Sequence, residues 1–489
     1  MPDTLPFALL VLTAAGVGLV AVLSNRLTER LAVPAPAFFL VGAAIAVKVS
    51  PALHPPAQTV GRVVTVALLL ILFDGGMHIG RARFRSAAGP IAVVGVVGTF
   101  LTVAAGALVV HVAFGLTWYL AVLLATAVAP TDPAVVFSVL GRREVSGRSG
   151  TILEGESGAN DPVGIALMAS LVTAGGLSAG AFGHVGGQFV LQMAVGAAVG
   201  VVGGRALVWS MRSVALPSEG LYPLRTLASA LVLFGVATLA QGSGFLAVFV
   251  AGIVVGDERA PYKREIVRFH SALASLAEIV AFVVLGFTVN LDEIARADVW
   301  VPGLVFGAAI AFVIRPVLVG LCLIPARLET NQRNFVLFAG LKGAVPILLG
   351  SLVVTARVPH AERLYGIVVV VVVFSVVVQG SLVPTVARRL RLPMHAVELE
   401  PWALGVRLRD EPDAAHRLTI RPGSPADGRT IEDLAGLPDE AWISLVVRGG
   451  QLVPVRAGTE LRAGDDILVL ADPSTRGDLA AVFEGRPTP

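Results

Sequence analysis

The chain has 489 residues, 55% of them hydrophobic and only 15% charged, with a mean hydropathy of +0.81. Soluble domains run at about 45–50% apolar and about 25% charged, so this composition excludes an ordinary soluble protein. The net charge of +3 and pI of 9.3 require no nucleic-acid partner, because the arginines fall where membrane topology wants them, and the single cysteine, Cys322, excludes an internal disulfide and a thiolate metal cage.

Apolar runs near the roughly 20 residues needed to cross a bilayer recur along most of the chain. An α-helical polytopic membrane protein with about thirteen spans is expected. The spans fall near 5–24, 33–50, 61–79, 88–113, 117–140, 152–173, 184–210, 221–240, 243–257, 271–290, 300–323, 334–356 and 364–387. The start, "MPDTLPFALL", lacks the basic stretch of a cleaved signal peptide, so the first span is expected to be retained. Arg and Lys collect in alternate loops: Arg26 and Arg30, then Arg81, Arg83 and Arg85, then Arg142, Arg143 and Arg148. The same side takes Arg212, the group from Arg259 to Arg268, Arg327, Arg333 and the group from Arg388 to Arg391, against only Arg296, Arg357 and Arg363 opposite. The positive-inside rule then puts the N-terminus outside and the C-terminus in the cytoplasm of a cell membrane.

The fifth span, "LLATAVAPTDPAVVFSVL", carries Pro130 and Pro133, which leave the carbonyls of Thr126 and Ala129 without helical partners. Irregular backbone at bilayer depth needs protein, water or an ion to take it up. Thr131 and Asp132 sit inside that break. The twelfth span, "FAGLKGAVPILLGSL", is interrupted around Lys342, between Gly340 and Gly343. With the seventh span as a linker, spans 1–6 and 8–13 form two inverted halves, a 6+1+6 plan with a broken helix as the fifth member of each. Such paired interruptions mark a transporter's midplane ion site.

The sixth span opens with "EGESGANDPVGIALM". A carboxylate within lipid is a functional candidate by default. Asp161 can hold a proton or a desolvated alkali cation but not both, and Thr131, Ser157 and freed carbonyls offer the oxygen ligands a hard cation wants. Asn160 adds a neutral polar group. Glu156 needs a cationic partner, with Lys342 the first choice and Arg315 the second, in a structural pair costly to break from one side. Asp132 either compensates the positive half-helix ends or contacts the ion through water. Asp74 and Glu278 are possible gate or funnel carboxylates, with Glu278 also a possible partner for Arg315. His78, His111, His184 and His270 lie near span ends, where a solvated interfacial place is expected. The run "GIVVVVVVFSVVV" is expected to carry no chemistry.

From residue 393 the character changes. Short β-like runs, "RLTI", "WISLVV", "LVPV" and "DDILVL", alternate with turn signals, so 393–489 is expected to be a small cytoplasmic α/β domain after a membrane domain of 1–392. It has no Gly-rich dinucleotide fingerprint.

"GESGANDPVGIAL", "TDPAVV" and "GLKGAVPILL" resemble the signatures of the monovalent cation:proton antiporters of the NhaP/NHE (CPA1) branch. The resemblance implies a homodimer with a moving core and a static dimerisation domain. It implies exchange at Asp161, with Thr131 and Ser157 holding the ion and Glu156 paired to a basic residue of the second broken helix, here Lys342. Asn160, where electrogenic branches carry a second Asp, implies one proton for one cation. "TIRPGSPADGRTIEDL" and "VRAGTELRAGDDILVLADPSTRGDLAAVF" resemble the C-terminal half of regulator-of-conductance (RCK_C/TrkA_C) domains. Membrane part and tail together are similar to bacterial potassium/proton antiporters, which favours K+ over Na+. The tail is expected to take a small nucleotide-type regulatory ligand. No cofactor is expected. A cation channel is disfavoured by the lack of a carbonyl-filter motif. An intramembrane aspartyl protease, the enzymatic alternative, is disfavoured by Asn160 and by the symmetry of the breaks, so the chain is not expected to be an enzyme.

Overall fold

Backbone in hydrocarbon must satisfy its own polar groups, and helices do so within each segment. The computed structural model describes residues 34–50, 53, 55–140, 143–145, 148–258, 260–392, 394–396, 415–438, 441–449 and 451–485, with positions 16 and 19. The expected first span, 5–24, lies outside this set apart from those two positions. The other twelve spans are built of helix, the fifth and twelfth each as two half-helices around a break.

They are α1 (Ala35–Val49), α2 (Ala57–Ala92), α3 (Thr99–Phe114), α4 (Trp118–Val128), α5 (Pro133–Leu140), α6 (Arg148–Ala174), α7 (Ala179–Ser213), α8 (Leu221–Leu239), α9 (Gly244–Gly256) and α10 (Lys263–Gly286). After the short α11 (Leu291–Ile294) come α12 (Ala297–Ala309), α13 (Arg315–Cys322), α14 (Thr330–Phe338), α15 (Ala344–Thr355), α16 (Ala361–Val373) and α17 (Gly380–Arg389). Spans three and four share α2, divided at Gly80, whose φ of 64° and ψ of 170° turn the chain. A side chain there would also strike the Asp257 carboxylate, which accepts the Ala82 amide at 2.5 Å.

Among the described residues three π-helical segments interrupt the bundle: Val93–Gly98 between α2 and α3, Ile310–Ile314 between α12 and α13, and Phe374–Gln379 between α16 and α17. Such segments are rare and recur at functional sites. The apolar core around them includes Leu123, Ile152, Phe282, Phe306, Phe335 and Ile347. Most of α7 is not buried, and Val190, Val202 and Trp209 are exposed, as suits a helix facing lipid. At one end of the bundle β1 (Arg143–Val145), between α5 and α6, pairs antiparallel with β2 (Met394–Ala396), which follows α17.

The chain divides into two compact units, Met1–Pro401 and Trp402–Pro489. The second contains an antiparallel sheet in the order β3 (Ala415–Thr419), β6 (Asp466–Leu470), β4 (Trp442–Arg448), β5 (Gln451–Val453), so each of the four β-like runs yields a strand. Alternating residues Leu418, Ile443, Val446, Ile467 and Val469 join Leu479 and Phe483 of α18 (Arg476–Glu484) in its core. Asp465 is fully buried there. Arg448 Nε donates to Oδ1 and Nη2 to Oδ2, both at 2.8 Å, and the Arg462 amide donates at 2.9 Å. Burial opposes the Asp465 charge, but the Arg448 and Arg462 hydrogen bonds outweigh it and hold the carboxyl below its usual range.

Candidate functional site

The two interrupted spans meet. The Asp132 amide, between α4 and α5, donates to the Leu341 carbonyl, between α14 and α15, at 2.8 Å. Pro133 opens α5 and Pro346 falls in the first turn of α15, places where a missing amide hydrogen costs nothing. Four half-helix ends therefore converge, and each carries a partial charge. Asp132 answers both N-termini: its Oδ1 accepts the Ala134 amide of α5 at 2.9 Å, and it receives the Ala344 amide of α15. Gly343 makes this approach possible, since a Cβ there would lie 1.8 Å from Asp132 Oδ2. The ammonium of Lys342 answers the C-terminus of α4, donating to the carbonyls of Ala129 at 2.9 Å and Pro130 at 3.1 Å. Arg315 answers the C-terminus of α14 through the carbonyls of Leu337 at 3.0 Å and Val336 at 3.1 Å.

Helix α6 crosses this junction. Glu156 pairs with Arg315, not with Lys342 as first expected: Nη1 donates to Oε1 at 2.6 Å and Nη2 to Oε2 at 2.9 Å, with both side chains buried. The planar guanidinium can serve two carboxylate oxygens and two carbonyls together, which a point ammonium cannot. The π segment ends at Ile314 and turns Arg315 inward, and Gly340 leaves it space. Asn160 bridges to the first break, donating from Nδ2 to Thr131 Oγ1 at 2.8 Å and accepting the Thr131 amide at 3.4 Å. Thr131 in turn donates to Glu156 Oε1 at 3.4 Å. Ser157 Oγ donates to Asp161 Oδ2 at 3.4 Å, and Asp161 Oδ1 is buried with no hydrogen-bond partner among the described residues. No group of three or more His, Cys, Asp or Glu side chains among the described residues forms a metal cage.

The remaining candidates lie elsewhere. Asp74 Oδ1 accepts from Ser271 Oγ at 3.1 Å, and its Oδ2 lies 3.3 Å from His78 Nδ1. Glu278 Oε1 is buried without a hydrogen-bond partner among the described residues, and the Glu278–Arg315 pair is not formed, because Arg315 is committed to Glu156. His270 is not solvated: α10 begins at Lys263, two turns earlier, and His270 Nε2 lies 2.8 Å from Thr226 Oγ1, with its ring edge-on to Phe73. Sequence reasoning missed Ser375 and Gln379. Ser375 lies within the valine run expected to be inert, yet its Oγ accepts the Lys342 amide at 2.9 Å. A lone serine and a glutamine four residues later, both in an apolar span, were the available signal.

The family described as "Sodium/hydrogen exchanger, transmembrane" matches residues 11–389, and a TrkA-C domain matches residues 415–484. The chain belongs to the sodium/hydrogen exchanger family. Cation/proton exchange is this family's class of activity, and the exchanger is a multi-pass membrane protein. It is 32% identical to the K(+)/H(+) antiporter NhaP of Alkalimonas amylolytica over 86% of this chain and 73% of the relative. It is 29% identical to the K(+)/H(+) antiporter NhaP2 of Shewanella oneidensis over 96% and 82%. The Na(+)/H(+) antiporter NhaH of Halobacillus aidingensis is 31% identical over 55% of this exchanger and 68% of its own length. In fold the exchanger matches the sodium proton antiporter MjNhaP1 of Methanocaldococcus jannaschii, with a TM-score of 0.64 at 20% identity, over 78% of this chain and 99% of that one.

Proposed function

We propose that the exchanger moves K+ against H+, one for one, by competition of the two at Asp161 as the site alternates between the two sides of the cell membrane. The observation that carries this reading is the bare, buried Oδ1 of Asp161 beside a junction whose other charges are matched. Asp132, Glu156 and Asp161 bring three negative charges when ionised, and Lys342 and Arg315 bring two positive ones; with the buried Glu278, which lies within electrostatic reach of Asp132, holding its own proton, one further proton or one monovalent cation restores neutrality. Ser157 is the nearest further ligand. Thr131 and Asn160 present their oxygens from the break, and Asp132 holds the half-helices in place. Asp74 and Glu278 act at the approaches to the site. No step forms or breaks a covalent bond other than to a proton, so the chain is a carrier and not an enzyme.

The relatives named as K+/H+ antiporters match across the tail as well as the membrane part and favour K+. The shorter match to a Na+/H+ antiporter keeps Na+ as the second reading. We assign transport to residues 1–392 of a homodimer and regulation by a small nucleotide-type ligand to residues 393–489. The arginine distribution favours a cytoplasmic tail and an outside N-terminus. Proton flux in everted vesicles, with K+, Na+, Rb+ and Li+ added in turn, tests the reading. K+-dependent, saturable flux is expected. Flux with Na+ alone overturns the cation assignment, and cation conductance without proton movement overturns exchange.

A further inference from the structure

In an unbroken helix the amide of Lys342 would donate to the carbonyl of Phe338, four residues earlier. The break separates the two, and both would be orphaned at bilayer depth. Two side chains of the thirteenth span occupy that gap. The Lys342 amide donates to Ser375 Oγ at 2.9 Å, Ser375 Oγ donates to Gln379 Oε1 at 3.1 Å, and Gln379 Nε2 donates to the Phe338 carbonyl at 2.6 Å. The chain of bonds replaces the missing helical one and runs in the same sense. Ser375 and Gln379 are both buried, and both lie within the π segment Phe374–Gln379.

We propose that Ser375 and Gln379 are positioning residues for exchange, a side-chain clamp that sets the opening of the second break. The segment they span, 339–342, carries the Leu341 carbonyl that receives the Asp132 amide and the Lys342 side chain that holds the carbonyls of Ala129 and Pro130. Fixing both ends of this segment fixes where Lys342 delivers its charge and how closely the first break, with Thr131, approaches Asn160 and Asp161. The first break has a comparable arrangement: Asn160 of the sixth span accepts the Thr131 amide as Ser375 of the thirteenth accepts that of Lys342. One half thus fastens its break with the neighbour of an acid, the other with neutral groups alone. The clamp acts on the geometry in which Lys342 and the first break meet Asp161, so its loss weakens cation binding more than it slows the loaded carrier.

The inference rests on the exchange reading above, and wild-type vesicles run in parallel separate the two: no wild-type exchange sinks that reading and says nothing for the clamp. Ser375→Ala, Gln379→Met and the double variant are compared at matched protein amounts across cation concentration and pH. Each single variant is expected to raise the half-saturating K+ concentration roughly five- to twentyfold, with maximal rate held within about twofold. The pH profile shifts with it. Because both residues belong to one chain of bonds, the double variant matches the stronger single one. Unchanged half-saturation, shifts that multiply in the double variant, or a fall in maximal rate alone each overturn the proposal. Ser375→Ala removes a single hydroxyl, and it carries the test if Gln379→Met does not reach the membrane.

Discussion

Arg315 and Glu156 form a two-pronged ion pair, at 2.6 and 2.9 Å, that joins the start of α13 to the middle of α6 in a site closed to solvent. Removing either partner strands the other's charge, and breaking a buried pair from one side costs about 3–5 kcal/mol. Glu156→Leu and Arg315→Leu are each expected to lower the thermal midpoint of the purified protein. Glu156→Leu combined with Arg315→Leu is expected to recover much of the loss. Additive losses in the double variant would show that the pair is not the source.

Asp161→Asn keeps the size of the side chain and one acceptor but carries no charge. The variant is expected to insert at wild-type levels and to exchange nothing. Appreciable K+-dependent proton flux from it would remove Asp161 from the mechanism.

Neutrality of the loaded site predicts that transport ignores voltage. A potential imposed with an ionophore is expected to leave the equilibrium distribution of K+ unchanged. A distribution that follows the potential would mean that a second charge moves, with Lys342 the first suspect.

Gly343→Ala tests the crossing of the breaks. The new methyl would fall on the Asp132 carboxylate. Overpacking typically costs about 1–3 kcal/mol, here spent on displacing the group that steadies two helix ends, so exchange is expected to drop roughly tenfold or more. Full activity in vesicles would mean that Asp132 can retreat without consequence.

In the tail, Arg448→Met leaves Asp465 buried with only the Arg462 amide as donor, which should cost about 2 kcal/mol of domain stability. The Asp465 carboxyl is held low in the folded state, so its contribution is complete above the unfolded value of about 3.9 and is lost as pH falls through the lower folded one. Limited proteolysis of the full chain at falling pH should show the wild-type tail resisting to lower pH than the variant. Identical profiles would deny Asp465 this role.

Much of the fold was legible because lipid imposes simple rules. Helices of spanning length follow from hydropathy, and Pro130, Pro133 and Gly343 mark the interruptions. The pairing of Thr131 with Asn160 follows from placing one break against α6. The partner of Glu156 was not legible. Lys342 is nearer the obvious motif, but Arg315 reaches Glu156 because a π segment shifts its register by a fraction of a turn, and hydropathy does not register such a shift. Ser375 was hidden for a related reason: one hydroxyl among valines reads as a tolerated polar atom until the broken backbone beside it is known. The β1–β2 pair was also invisible, since neither three-residue strand has a periodicity of its own.

That last pair has a mechanical consequence. β1 joins the half-helix that starts at Pro133 to the helix that bears Asp161, and β2 follows α17. Among the described residues the two are fastened by a ladder of three pairs, Arg143 to Val145 against Met394 to Ala396. An isolated two-stranded ribbon is marginal in water. A ladder this short holds the corner between α5 and α6 to the end of α17 only weakly, and its three pairs part at far lower cost than either helix unwinds.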